Sequence, residues 1–292
     1  MVEQLREPLE ESAPLGRRLA GQLCRRDPAS GDSCAWCHGI WQYLRLMGLA
    51  AAPEHHADFY RRALQSTRGA GAAPRVLVSG AADYSMLAHV LAIYRESGIE
   101  PAVTVVDECE TPLALSRWYA EREAASIECV RCDILDYTAS TEFDAICTHS
   151  FLVQFSPEQR IRLLQRWRQL LRPGGSVITV TRIRPGAGEG RAGFSPEQAQ
   201  AFHATVLRKA EAMRERLQID PAELAREAGI YMSGQRPWPV RSREEILQLF
   251  ERAGFRVDEL SDAPSAAAPE LLPNAPAVPG SGERVQIIAT RL

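Results

Sequence analysis

The alternation of short β-branched segments with amphipathic segments, which begins near residue 74, most constrains the fold of this chain. Segments of helical period, such as MLAHVLAIYRESG and EQRIRLLQRWRQLLRPGG, separate the strand-like ones. Parallel strands need a helical crossover, so this order predicts an α/β fold with a doubly wound, mostly parallel sheet covered by helices on both faces. The strand-like segments are RVLVSG (75–80), AVTVVD (102–107), IECVRCD (127–133), FDAICTHS (143–150) and SVITVTRI (176–183).

The chain divides at the point where the period changes. Residues 1–73 are predicted to form an N-terminal helical cap, because CAWCHGIWQYLRLMGL carries an apolar stripe at helical spacing. Residues 74–292 are predicted to form one Rossmann-like domain, which ends in the strand-like segments RVDELSD and ERVQIIATRL. Within it we expect a helical insertion at 195–229, after the fifth strand, and a flexible Pro/Ala-rich loop at 263–282.

Four helix starts carry the same capping pattern, a short polar residue followed three positions later by Glu or Gln. The side-chain oxygen of the short polar residue can accept hydrogen bonds from backbone N–H groups of the first helical turn. Gly254 is expected to end a helix in the left-handed conformation. The four expected caps are Ser156, Ser195, Asp220 and Ser242.

Charge and hydropathy exclude several classes of protein. With 34 basic and 37 acidic residues the net charge is −3, and no polybasic block is present, so we expect no nucleic-acid partner. No apolar run is long enough for a membrane span and the N-terminus has no apolar signal segment, so a cytoplasmic protein without a membrane partner is expected. Lys209, the one lysine, lies in a segment that reads as a solvated helix face, which disfavours Schiff-base chemistry.

The seven cysteines do not predict a disulfide framework. The sequence CAWCH at 34–38 has the spacing of c-type haem attachment and, together with Cys24, could indicate zinc. Haem attachment requires export, and Cys37 falls within the apolar stripe of a predicted helix. We therefore expect no metal site. Three further cysteines lie in strand-like segments, where a thiol is a small core group: Cys129, Cys132 and Cys147.

Polar or small residues follow four of the predicted parallel strands. In an open parallel sheet the ligand lies beyond the carboxyl ends of the strands, so these residues are the candidate site. A glycine lets a ligand approach the backbone, and a carboxylate can accept from ribose hydroxyls or from an exocyclic amine. Taken singly, the first loop could be an ordinary strand-to-helix corner and the acid after the second strand a helix cap. The residues are Gly80-Ala81-Ala82, Asp107-Glu108, Asp133-Ile134 and Thr148-His149.

Together with Phe143-Asp144 and LLRPGG (170–175), these strand ends resemble the class I S-adenosylmethionine-dependent methyltransferases. The resemblance implies a seven-stranded sheet whose seventh strand is antiparallel between the fifth and sixth. It implies S-adenosylmethionine as cofactor, with the methionine part against Gly80, Ala81 and Ala82, the ribose at Asp107 and Glu108, and the adenine at Asp133 and Ile134; Thr148 would also contact the cofactor. The family's glycine-rich loop has glycine at the positions of Gly80, Ala82 and Tyr84, and this chain retains only the first.

The predicted activity is metal-independent transfer of a methyl group to an O, N or S nucleophile of a small molecule. His149, directly after the fourth strand, is the candidate general base, since an imidazole can take a proton near neutral pH. Two other functions remain open from sequence. One is a non-catalytic protein that binds a nucleoside or S-adenosylmethionine, and the other is an NAD(P)-dependent oxidoreductase, which would need close approach of its loop to a pyrophosphate.

Overall fold

A computed structural model describes residues 5–25, 33–50, 52–67, 73–263 and 283–292. Seven strands in these residues form one sheet in the order β3-β2-β1-β4-β5-β7-β6. All neighbouring pairs are parallel except those of β7, which runs antiparallel between β5 and β6. The predicted doubly wound sheet is therefore confirmed. Its strands are β1 (Arg75–Ser79), β2 (Ala102–Asp107), β3 (Ile127–Arg131), β4 (Phe143–His149), β5 (Leu171–Arg182), β6 (Phe255–Asp262) and β7 (Arg284–Arg291).

Helices precede the sheet, cross over between its strands and follow β5. The four predicted caps are confirmed, since each side-chain oxygen accepts a backbone N–H of the first helical turn. Gly254 has φ +83°, as expected for a helix end. The helices are α1 (Leu9–Leu23), α2 (Ala35–Leu46), α3 (Ala57–Ser66), α4 (Ser85–Arg95), α5 (Glu110–Arg122), α6 (Pro157–Leu170), α7 (Pro196–Ala212), α8 (Arg214–Leu217), α9 (Pro221–Gly234) and α10 (Arg243–Arg252).

Two elements extend beyond their predicted ends. β5 begins at Leu171 because this residue already pairs with Phe143 of β4. The register then shifts, and regular pairing with β4 continues from Ser176, which lies opposite Ala145. The helical insertion continues past residue 229 to Gly234, because Tyr231 and Met232 of α9 are buried in an apolar core. The predicted flexible loop at 263–282 lies outside the described residues from 264 onward.

The N-terminal helices and the insertion pack on each other. α1 and α2 share a core with α7 and α9, while α3 packs on the sheet side with α4. Within the described ranges no helix combines the length and the apolar character needed to cross a membrane. Helices α1, α2, α7 and α9 thus pack around a hydrophobic core of their own. Members of the shared core include Ile40, Tyr43, Leu44, Phe202, Val206, Leu224 and Met232.

Candidate active site

The loop after β1 keeps glycine at the position where the backbone requires it. Gly80 has φ +72° and donates its N–H to the carbonyl of Val106 at 2.9 Å. No positive φ occurs at Ala82 or Tyr84, so a side chain at either position costs the backbone nothing. The Tyr84 ring is buried and stacks on Tyr119 at 4.6 Å between centroids. The loop therefore needs glycine at Gly80 but not at Ala82 or Tyr84.

The ring of Phe151 covers the loop at Gly80. A Cβ placed on Gly80 would lie 2.2 Å from Cε2 of Phe151, so the ring packs directly on the glycine backbone. Phe151 follows β4 and belongs to the aromatic pair with Phe155, whose centroids are 4.9 Å apart. The space in front of Gly80 is therefore bounded by an aromatic face.

Asp107, at the end of β2, holds two neighbouring loops. Its Oδ2 accepts from the N–H of Ala81 at 2.9 Å and its Oδ1 from the N–H of Cys109 at 2.7 Å. Burial raises the pKa of Asp107 to about 6, against the lowering effect of these two donors. Each oxygen of a carboxylate can accept two hydrogen bonds, so both retain capacity for a ribose hydroxyl. Glu108 beside it is exposed.

The end of β3 offers one accessible carboxylate and little apolar surface. Asp133 is half-buried, and its Oδ1 accepts from the N–H of Leu135 at 2.8 Å. The charge of Asp133 contributes, after burial, to a raised pKa at Glu108, so the two acids lie close together at neighbouring strand ends. Ile134 is only 4% exposed and packs into the core with Val106. Its expected contact with an adenine face is limited to that small exposed edge.

His149, at the end of β4, is held by Tyr60 of α3. The Tyr60 hydroxyl donates to the carbonyl of Thr148 at 2.8 Å and lies 3.1 Å from Nδ1 of His149. Since the hydroxyl has one proton, it accepts from Nδ1, which fixes the imidazole with its proton on Nδ1 and its lone pair on Nε2. That Nε2 is buried and has no hydrogen-bond partner among the described residues. Thr148 itself is fully buried, so its hydroxyl is not open to a ligand in this conformation.

The surroundings of His149 are basic. Burial, followed by the nearby His56 and Arg284, holds the pKa of His149 well below its usual value, so the ring is neutral at pH 7. Two further arginines lie at the same edge of the sheet, since Arg182 ends β5 and Arg184 follows two residues later. Burial, together with Arg284, lowers the pKa of Arg182 to about 9 and that of Arg184 to about 10. Arg184 is 6% exposed, and its Nε and Nη1 have no hydrogen-bond partner in the described part of the chain.

A buried arginine joins the N-terminal helices to the loop after β1. Arg45 of α2 donates to Asp83 at 2.8 Å, to Glu7 at 2.6 Å and to Glu54 at 2.9 Å. Asp83 also accepts from Trp41 and Gln42, each at 3.1 Å. The carboxylate of Asp83 is therefore a structural anchor, although it lies in the candidate cofactor loop.

A sequence reading of the strand ends missed the residues that the helical cap and β7 bring to this edge. Tyr60, Arg45 and Arg284 are distant in sequence from the strand ends that they contact, and no local motif marks them. Phe151 could have been anticipated, because it follows His149 by two positions at a strand end.

Comparison with known proteins relates this architecture to a family. Residues 87–175 match the family model described as a methyltransferase domain. The pyocyanin biosynthetic protein PhzM aligns with TM-score 0.51 and 14% identity over 87% of this chain, but this chain spans only 58% of that protein. Mitomycin 7-O-methyltransferase MmcR aligns with TM-score 0.51 and 14% identity, and the alignment covers 94% of this chain and 60% of that protein.

Magnesium protoporphyrin IX methyltransferase from Synechocystis PCC 6803, determined with bound S-adenosylhomocysteine, matches over most of its own length. It aligns with TM-score 0.50 and 12% identity over 87% of this chain and 88% of that protein. No curated protein sequence matches this chain. At such low identities these structures bear on the fold.

Proposed function

We propose that this chain, whose residues 87–175 match a methyltransferase domain, is a class I S-adenosylmethionine-dependent methyltransferase that transfers a methyl group from that cofactor to a small-molecule nucleophile. The observation that carries the proposal is the Asp107 carboxylate, half-buried at the end of β2 and bonded to the loop that begins at Gly80. This arrangement places a hydroxyl acceptor beside the loop after β1, in which Ala81 and Ala82 are half-exposed.

The carboxylates at the strand ends suit the polar ribose of an adenosyl ligand. Asp107 would accept from the ribose hydroxyls, and Glu108 and Asp133 supply further carboxylates at the adjoining strand ends. Ala81 and Ala82 are half-exposed and leave the loop backbone accessible. Phe151 would contact the methionine part, since its ring shares the space in front of Gly80. When bound, S-adenosylmethionine supplies an electrophilic methyl carbon on a sulfonium centre.

His149 would act as the proton acceptor. Its Nε2 lone pair is directed by the contact between Nδ1 and Tyr60, and the ring is uncharged at neutral pH. A base with a lowered pKa is effective when the acceptor's own proton is acidified to match. The nearby Arg284 would provide that acidification, because a positive charge favours an ionised hydroxyl or carboxyl group.

The basic edge favours an acceptor that carries negative charge. Arg182, Arg184 and Arg284 are mutually repelling cations in a buried setting, and an anion bound among them would offset both the repulsion and the loss of hydration. Partnerless donors on Arg184 would be satisfied by a carboxylate or phenolate oxygen. An anionic metabolite is accordingly the expected substrate class.

Labelled methyl transfer tests the proposal. The purified protein is first analysed by mass spectrometry for co-purified adenosyl ligand, and S-adenosylhomocysteine binding is measured by calorimetry. It is then incubated with isotope-labelled S-adenosylmethionine and metabolite extract separated into anionic, neutral and cationic fractions. Label should appear in the anionic fraction, and the Arg184→Gln variant should raise the KM for that acceptor without weakening cofactor binding.

Other results would support the rival functions. Cofactor binding without turnover in any fraction would indicate a non-catalytic binding protein. Binding of NAD(P) in place of S-adenosylhomocysteine would indicate an oxidoreductase.

A further inference from the structure

Four potential metal ligands meet where the N-terminal helices touch the β2–α5 loop. Cys24 lies at the end of α1, Cys34 and His38 lie on the first turn of α2, and Cys109 follows β2. One ligand atom from each residue lies within 4.8 Å of every other, and all four residues are half-buried or buried. The sequence predicts no metal here, because the spacing of CAWCH and Cys24 does not reveal that Cys109 lies beside them.

Three of the six separations between these atoms are close to the edges of a coordination tetrahedron. Sγ of Cys109 lies 3.6 Å from Sγ of Cys24 and 3.5 Å from Sγ of Cys34. Sγ of Cys24 lies 3.3 Å from Nδ1 of His38. A tetrahedron with Zn–S of about 2.3 Å and Zn–N of about 2.0–2.1 Å has S–S edges of about 3.8 Å and S–N edges of about 3.5 Å. The measured separations fall within about 0.3 Å of these edges.

A disulfide does not explain the cluster. Bonded sulfur atoms are about 2.05 Å apart, and Sγ of Cys109 is almost equally distant from two partners at much longer range. All three cysteines are free thiols. Three sulfur atoms and an imidazole nitrogen that lie within 4.8 Å of one another are the donor set of structural zinc sites.

Neighbouring donors would support thiolate ligands. The N–H of Thr111 donates to Sγ of Cys109 at 3.5 Å, and the Thr111 hydroxyl lies 3.1 Å from Sγ of Cys24. Hydrogen bonds of this kind orient the side chains that bind a metal and stabilise the negative charge on a thiolate sulfur.

We propose that Cys24, Cys34, His38 and Cys109 bind one Zn²⁺ in a closed tetrahedral site that fastens the helical cap to the β2–α5 loop. With all four positions taken by protein, the ion has no open position for a substrate, so its role is structural. Cys109 is two residues from Asp107, and the ion would hold that loop in place. The assignment does not rest on the proposed methyl transfer.

A second group of possible ligands does not need a metal. Glu7, Glu54 and His89 also lie close together, but the guanidinium of Arg45 bonds both carboxylates. That positive charge already occupies the position a cation would take.

Metal content of the purified protein tests the site directly. Untagged full-length protein, prepared without chelator, is analysed by native mass spectrometry and by elemental analysis. We expect about one zinc per chain in the wild type and less than about a tenth of that in the Cys24→Ser/Cys109→Ser variant. Cys37→Ser, at the cysteine of the same motif that lies outside the cluster, should retain the full complement.

Two further measurements keep the test independent of variant folding. Replacement of the metal by Co²⁺ should give the visible absorption of a tetrahedral thiolate site, and a chelator should lower the melting temperature of the wild type. Wild-type protein without bound zinc, protein with iron in its place, or a disulfide involving Cys109 would each overturn the proposal. Failure of methyl transfer would leave these readouts unchanged, so the two proposals can fail separately.

Discussion

Tyr60 and His149 form a hydrogen-bonded pair across the boundary between the helical cap and the sheet, with 3.1 Å between the hydroxyl oxygen and Nδ1. The pair fixes the tautomer of the imidazole, because the hydroxyl proton is already given to the carbonyl of Thr148. A residue of the cap thereby sets the chemical state of the group that we assign as proton acceptor.

His149→Ala is expected to lower kcat by about 10²- to 10⁴-fold, the usual contribution of a general base, and to leave affinity for S-adenosylhomocysteine within a few-fold. Tyr60→Phe, which leaves the Nδ1 proton without its acceptor, should lower kcat by a smaller factor. Steady-state kinetics and calorimetry measure the two effects, with His203→Ala on α7 as the control. Loss of cofactor affinity with kcat intact would place His149 in the cofactor pocket instead.

Asp107→Asn is expected to weaken S-adenosylhomocysteine binding by roughly 10- to 10²-fold, because hydrogen bonds to a charged acceptor contribute about 1.5–3 kcal/mol. Calorimetry on folded protein gives the affinity. The control is Asp58→Asn, at a carboxylate whose side chain is 92% exposed on α3. Equal affinities for the Asp107 variant and the wild type would refute the ribose assignment.

Gly80→Ala should destabilise the fold by more than Gly48→Ala. Both glycines have positive φ, +72° and +68°, so each substitution incurs about 1–2 kcal/mol of backbone strain. Only at Gly80 does the new methyl group meet the ring of Phe151, which adds about 1–3 kcal/mol of overpacking. Urea denaturation measures the difference, and Phe151→Ala in the Gly80→Ala background should recover part of it. Equal losses of stability in the Gly80→Ala and Gly48→Ala variants would show that the Phe151 ring moves aside without an energetic cost.

The pH dependence of stability should report the charge balance around Arg45. One guanidinium faces three carboxylates there, and burial raises the pKa of Glu7 from 4.5 to about 7. Between these two values the unfolded chain releases the proton while the folded chain keeps it, so this group lowers the free energy of unfolding as pH rises. Between pH 4.5 and pH 7 this titration lowers the free energy of unfolding by at most about 3 kcal/mol.

The Glu7→Gln variant has no such titration, so its stability relative to the wild type should increase from pH 4.5 to pH 7. Denaturant unfolding at several pH values gives the comparison. The control is Glu10→Gln, at a glutamate whose side chain is 52% exposed on α1. A constant difference between the Glu7 variant and the wild type would mean that Glu7 is ionised in the fold throughout this range.

Sequence periodicity was sufficient to predict the sheet. Each predicted strand is present, and β2 has the predicted bounds, because continuous apolar runs bounded by helical segments leave few other arrangements. The capping serines were equally clear, since a cap is a local interaction among residues four positions apart or fewer. The predicted cofactor contacts at Gly80, Asp107 and Asp133 stay predictions.

Other parts of the site could not be read from the chain because they depend on distant contacts. Burial of Thr148 and most of Ile134 follows from packing between layers, which local pattern does not reveal. The approach of Cys109 to CAWCH likewise depends on how the helical cap docks.

The cap is fastened at the ends of β1, β2 and β4 by contacts that span long stretches of chain. Arg45 and Asp83 are 38 residues apart, Cys24 and Cys109 are 85 apart, and Tyr60 and Thr148 are 88 apart. Each contact closes a long loop, and none can form before its strand is in place. The cap helices leave the ribosome before the strands on which they dock, and the apolar faces of α1 and α2 stay exposed to other chains until α7 and α9 have been synthesised.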